Sequence, residues 1–169
     1  SPLPSGTTKV IVVLGSGHER TGDMKYWCKN LGLDSVLVIP IDLKIGGYEH
    51  DWTIPSVRDA LTMLVSHSST VCVIFAFKCG PWSALHCMSP GPPPMFDTDH
   101  LDGIPDSNGT LPAATVAAKE HVDSGLVLLR AAAAAGKPLF GESPVSRGAG
   151  SPFAFKEAVY TKHCSMWMY

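Results

Sequence analysis

Basic residues are scarce in this chain. Among 169 residues, Lys and Arg total 13 against 15 Asp and Glu, for a net charge of −2. Autonomous, tight binding to nucleic acid usually needs a clear basic surplus. The arginines Arg20, Arg58, Arg130 and Arg147 are scattered, which leaves room for a local basic patch and nothing larger. Metal-binding cysteine patterns are missing as well. The five cysteines, Cys28, Cys72, Cys79, Cys87 and Cys164, form no Cys-x-x-Cys pair and no Cys/His zinc spacing, so no metal site is expected. Their odd number suits a reducing compartment, nucleus or cytoplasm. No signal peptide and no membrane-spanning run is visible, and Ala131–Ala135 is far too short to cross a bilayer. No membrane partner is expected.

What is present is a globular composition, 45% hydrophobic and 17% charged, with enough length for one real core. The whole chain, 1–169, reads as a single domain. It starts at Ser1 and stops on the apolar run Met166-Trp167-Met168-Tyr169, which suggests a piece of a longer polypeptide. Its oligomeric state is open.

The apolar pattern alternates between strands and helices. Lys9–Leu14, Ser35–Ile41 and Thr70–Phe77 are continuous, β-branched runs and predict buried strands. Thr21–Leu33 predicts a helix with Met24, Trp27, Cys28 and Leu31 on one face. Pro55–His67 predicts a second, with Pro55 in its first turn and Val57, Leu61, Leu64 and Val65 inward. Ala113–Ala135 predicts a long third helix, apolar at Val116, Val122, Leu126 and Leu129 and closed by Gly136. Lys137–Gly141 reads as a short strand, 153–162 as a short helix and Cys164–Tyr169 as a last strand. Asp42–Thr53 and the proline-rich stretch Cys79–Pro112 read as loops, the latter a candidate lid over a site. The fold class is α/β, a mostly parallel Rossmann-like sheet with helices on both faces and right-handed crossovers.

Chemistry-bearing residues gather where these strands end. Leu14-Gly15-Ser16-Gly17 follows the first strand. Its glycines would let backbone amides approach a phosphate or carboxylate, and a lone G-x-G is also a common structural turn. Asp42, with Leu43 after it, ends the second strand, where an acid either accepts from ribose hydroxyls or caps a loop. In His50-Asp51-Trp52-Thr53, Asp51 could accept from an adenine amino group with Trp52 stacked on the ring, or could close an Asx turn ahead of the next helix.

The third strand runs into Phe77-Lys78-Cys79-Gly80-Pro81-Trp82-Ser83. A thiol there is a candidate nucleophile, and otherwise a small buried side chain. Glu142, in Gly141-Glu142-Ser143-Pro144, could hydrogen-bond a bound base or build a turn. Arg147 could meet a substrate phosphate or only solvent. His18, His86, His100 and His163 show no triad spacing, and Ser83 has no nucleophile-elbow context, so hydrolase chemistry is unsupported.

The ordered set Leu14-Gly15-Ser16-Gly17, Asp42, His50-Asp51-Trp52, Cys79-Gly80-Pro81-Trp82-Ser83 and Glu142-Ser143-Pro144 resembles the class I S-adenosylmethionine-dependent methyltransferases. Within them it looks most like divergent cytosine-C5 DNA methyltransferases of eukaryotic mobile elements or viruses. The resemblance implies that Gly15, Ser16, Gly17, Asp42, Leu43, Asp51 and Trp52 hold S-adenosylmethionine. It implies that Cys79 attacks C6 of a cytosine and that Glu142 engages N3 and the amino group. Lys78, Trp82, Ser83 and Arg147 would contact the substrate, a nucleic acid, with DNA the first choice, reached through additional domains or partners. Four departures stand out: Lys78 replaces the family's proline before the cysteine, Ser143 replaces the asparagine after the glutamate, the arginine-rich strand expected after it is not evident, and no target-recognition domain fits the length. Two other classes stay open: a degenerate methyltransferase fold kept as a binding or assembly module, and a methyltransferase acting on RNA ends or a small molecule.

Overall fold

The computed structural model describes residues 9–18, 21–77, 81 and 94–142. The chain divides into two compact units, Ser1–Phe77 with Asp123–Gly141 and Lys78–Val122 with Glu142–Tyr169.

The first unit is built on a four-stranded parallel sheet. Its strands are β1 (Lys9–Leu14), β2 (Val36–Ile41), β3 (Thr70–Ala76) and β4 (Leu139–Glu142), in the order β2-β1-β3-β4. β1 pairs in parallel with β2, Lys9 opposite Val36 through Leu14 opposite Ile41. On its other side it pairs with β3, with a register irregularity between Val10 and Ile11. The helices between strands are α1 (Met24–Asn30), α2 (Leu43–Gly46), a 3-10 helix (Gly47–His50), α3 (Pro55–Ser66) and α4 (Ala113–Ala134). Strand–helix alternation with a parallel sheet is what the apolar pattern predicted. Residues 42–53 hold α2 and the 3-10 helix where the sequence suggested only a loop. No further strand is inserted there, so among the described residues β2 is an edge of the sheet.

The pleat sorts side chains onto two faces. Val10, Val12, Leu14, Val73 and Phe75 are all buried, with Leu61 and Val65 of α3 and Leu128, Leu129 and Ala132 of α4. Each of these Val, Leu and Phe side chains contributes about 1.5–3 kcal/mol by leaving water. α4 approaches closely because Gly125 has no side chain: a Cβ there would lie 2.7 Å from the Phe77 ring. Arg58 ties the two helices, its Nη1 donating to Ser124 Oγ at 3.1 Å and to the Thr53 carbonyl at 3.4 Å.

The opposite face is less covered. Ile11, Val13, Cys72 and Ile74 are only half-buried. α1, capped by Asp23 through its bond from the Tyr26 amide at 2.8 Å, buries Cys28 and leaves Trp27 at 53% and Leu31 at 67% exposure. The expected inward face of this helix is thus narrower than its period suggested: seven residues bring one fully buried side chain inward.

In the second unit, residues 94–112 carry no helix or strand. Asp97 accepts from the amides of Asp99 and His100 and meets His100 Nδ1 at 2.9 Å. Asp106 closes a turn on Asn108 and Thr110. Lys119 pairs with Asp102 at 3.2 Å. Phe96, Thr115 and Val122 are buried. The expected helix at 153–162 and strand at Cys164–Tyr169 lie outside the described residues.

Candidate functional site

The strand order reverses between β1 and β3. The chain leaves β1 for β2 on one side and later returns to β3 on the other. In open parallel sheets the crevice for ligands forms at such a switch, beyond the carboxyl ends of the strands. Gly15 sits at that place. Its amide donates to the Ile41 carbonyl at the end of β2, 2.7 Å away. Its φ of 73° is left-handed, and a Cβ would run into the carbonyl of Ala76 at the end of β3. Gly15 therefore joins the ends of three strands, and no other residue fits there.

Gly17 also has a positive φ, 68°, with open space around the position a Cβ would take. Between them, Ser16 turns its hydroxyl onto the Gly17 carbonyl at 3.2 Å. The Gly17 amide donates to Asp42 Oδ2 at 2.9 Å, across 25 residues of sequence. Asp42 Oδ1 accepts from the Lys44 amide at 2.8 Å and caps α2. The second strand's acid is thus a cap and a clamp on the glycine turn together. Each carboxylate oxygen keeps a further lone pair for a hydroxyl group. Leu43, the next residue, is 44% exposed.

Asp51 closes an Asx turn. Its Oδ1 accepts from the Thr53 amide at 3.0 Å and from Thr53 Oγ1 at 2.6 Å, just ahead of α3. Trp52 is 2% exposed and lies against Phe77, ring centroids 6.1 Å apart. It is a core side chain of the first unit, and its faces are covered by protein.

His50 carries a role the sequence did not reveal. Its Nδ1 accepts from the Asp42 amide at 3.2 Å, and Gly46 lies against its ring, where a Cβ would collide. The signal was present as a His eight residues beyond the strand-end acid with Gly46-Gly47 between them, yet nothing in such spacing distinguishes it from a solvent-facing loop residue.

Of the remaining candidates, Lys78, Cys79, Trp82, Ser83 and Arg147 lie outside the described residues, and Glu142 is described only as the last residue of β4. The structure brings together Gly15, Ser16, Gly17, Asp42 and His50, with Asp51 and Trp52 at the approach to α3. Among the described residues no group of three or more His, Cys, Asp or Glu could hold a metal ion, and no helix is long and apolar enough to cross a membrane. Two described cysteines, Cys28 and Cys72, are free thiols. Burial pushes the Cys72 thiol up, and Cys28 nearby adds to the rise. No protein family, curated protein or solved structure matches this chain.

Proposed function

We propose that the chain binds an adenosyl cofactor, S-adenosylmethionine, at the carboxyl ends of β1 and β2 and transfers its methyl group to a nucleic-acid base, cytosine C5 in the first instance. One observation carries the cofactor half of this reading: the glycine turn lies at the switch point of the sheet and is fastened to the strand-end acid Asp42 by a 2.9 Å hydrogen bond. The further lone pairs of the Asp42 oxygens would accept from a ribose beside a turn whose one side chain, Ser16, is small and bonded to the backbone.

The transfer half rests on the sequence resemblance. The Cys79 thiolate adds to C6 of cytosine, and the electron pair displaced from the C5–C6 double bond makes C5 nucleophilic. C5 takes the methyl from the sulfonium, which leaves as S-adenosylhomocysteine. A base then removes the C5 proton, and elimination frees Cys79. Glu142 would hold N3 and the amino group. A base in a duplex would first have to leave the stack.

A second reading has its own support. Asp42 and Asp51 both spend acceptor capacity on backbone amides, Trp52 is enclosed, and the net charge is −2. These suit a methyltransferase-like fold kept as a binding or assembly module. Calorimetric titration of the full chain with S-adenosylmethionine and S-adenosylhomocysteine separates the two. Saturable binding of both supports the first reading; no heat and no shift in melting temperature with either overturns it in favour of the module.

A further inference from the structure

We propose that His50 is a positioning residue: it holds the Asp42 backbone so that the Asp42 carboxylate stays fastened to the glycine turn. The role is read from geometry in the first unit alone. Asp42 must do two things at once. Its carboxylate spans from Lys44 N, 2.8 Å from Oδ1, to Gly17 N, 2.9 Å from Oδ2. This requires the extended backbone it shows, φ −158° and ψ 139°, at the junction of β2 and a helix of four residues.

A four-residue helix holds little by itself. The Asp42 amide is instead taken by His50 Nδ1 at 3.2 Å. The ring has room because Gly46 has no side chain to push it away, and it is carried by the 3-10 helix, closed by the Asp51 amide on the Tyr48 carbonyl at 3.2 Å. The segment 42–51 is thereby a closed loop: strand end, short helix, 3-10 helix, and back to the strand end through an imidazole.

An acceptor nitrogen carries no hydrogen, so this bond assigns the ring hydrogen to Nε2 and the ring to its neutral form. The charged groups of the two elements involved are Asp42 and Lys44 with α2, and Glu49 and Asp51 with the 3-10 segment. The acceptor itself meets an amide rather than any of them. Only the ligand arm of the following test rests on the adenosyl-cofactor reading.

The test uses the full chain with His50→Asn, His50→Gln and His50→Ala. Asparagine can place an oxygen where Nδ1 stands; glutamine places it where Nε2 stands; alanine places none. Amide hydrogen exchange of Gly17 is measured by NMR without ligand. His50→Asn is expected to keep the wild-type rate within about twofold, while His50→Gln and His50→Ala raise it about tenfold or more by freeing the clamp. Equal rates in all four proteins, or His50→Asn behaving as His50→Ala, overturn the proposal. Should a variant fail to fold, the wild-type imidazole 15N spectrum decides: a bare Nδ1 coupled to the Asp42 amide supports it, and a hydrogen on Nδ1 overturns it. In the ligand arm, S-adenosylhomocysteine affinity should follow the same ranking. No binding in any protein, with the exchange ranking intact, removes the cofactor reading and leaves the role of His50 standing.

Discussion

The carboxylate of Asp42 accepts from the amide of Gly17 at 2.9 Å, so a residue at the end of the second strand fixes the turn that follows the first. Asp42→Ala should remove both this clamp and the cap on α2. Loss of a cap alone costs about 0.5–2 kcal/mol, so Asp42→Ala should lower the unfolding free energy measured in urea by at least that much. Asp42→Asn should keep the cap through its oxygen and present an amino group to Gly17, giving a smaller loss of stability and, on the proposed cofactor reading, a large loss of S-adenosylhomocysteine affinity in calorimetry.

Gly15 and Gly17 should respond differently to alanine. Both have positive φ, a backbone region that costs an L residue about 1–2 kcal/mol. Gly17→Ala has open space and should cost no more than that. Gly15→Ala must also push back the Ala76 carbonyl, so its denaturation midpoint should fall well below that of Gly17→Ala. Equal midpoints would contradict the close approach of β1 and β3 ends.

Trp52 offers a test of packing against ligand contact. Its enclosure beside Phe77 means that Trp52→Ala should cost about 3–5 kcal/mol, as large core aromatics do. Trp52→Phe should lose less stability and leave S-adenosylhomocysteine affinity within about twofold of wild type, a change worth no more than about 0.4 kcal/mol. A selective loss of affinity in Trp52→Phe, at unchanged melting temperature, would restore a stacking role.

On the proposed methyltransferase reading, Cys79→Ala should abolish methyl transfer to a cytosine-containing oligonucleotide in a radiolabelled-methyl assay while sparing cofactor binding. Transfer that survives the substitution would rule out the thiol mechanism and leave another class I methyltransferase chemistry.

The half-buried thiol of Cys72 gives the fold an alkaline dependence. Burial, and then Cys28, raise its pKa above 9.0, so the folded state favours the neutral thiol. Its contribution to stability is complete below the unfolded-state value and is lost as pH rises through the folded one. Stability measured from pH 8 upward should therefore decline more steeply in wild type than in Cys72→Ala, and native Cys72 should react more slowly with iodoacetamide than the same thiol in urea.

Much of the architecture was legible in the sequence because strong periodicity needs few partners to be interpreted. β1 spans Lys9–Leu14 as the β-branched run implied, and α3 starts at Pro55 with Leu61 and Val65 inward. α4 starts at Ala113 as expected, but Val116, assigned to its apolar face, is 46% exposed while Thr115 is buried. A helical period fixes which residues share a face; it does not say how much protein will cover that face, and α1 shows the same gap with Trp27 and Leu31. The site was legible as positions and illegible as bonds. Asp51 closing a turn and Asp51 meeting an adenine draw on the same carboxylate, and in the fold Thr53 takes its Oδ1. His50 was hidden because α2 and the 3-10 helix are too short to leave a periodic trace.

β2 has one further consequence. Its sequence, Val36-Leu37-Val38-Ile39-Pro40-Ile41, is apolar along its length, and β1 supplies its only neighbour among the described residues. Such a margin invites another chain to zip alongside it, and natural proteins blunt the hazard with a residue that has no hydrogen to donate. Pro40, opposite Val13 in the register, is such a gatekeeper. Its replacement by valine would be harmless to the chain's own ladder and costly to its shelf life in concentrated solution.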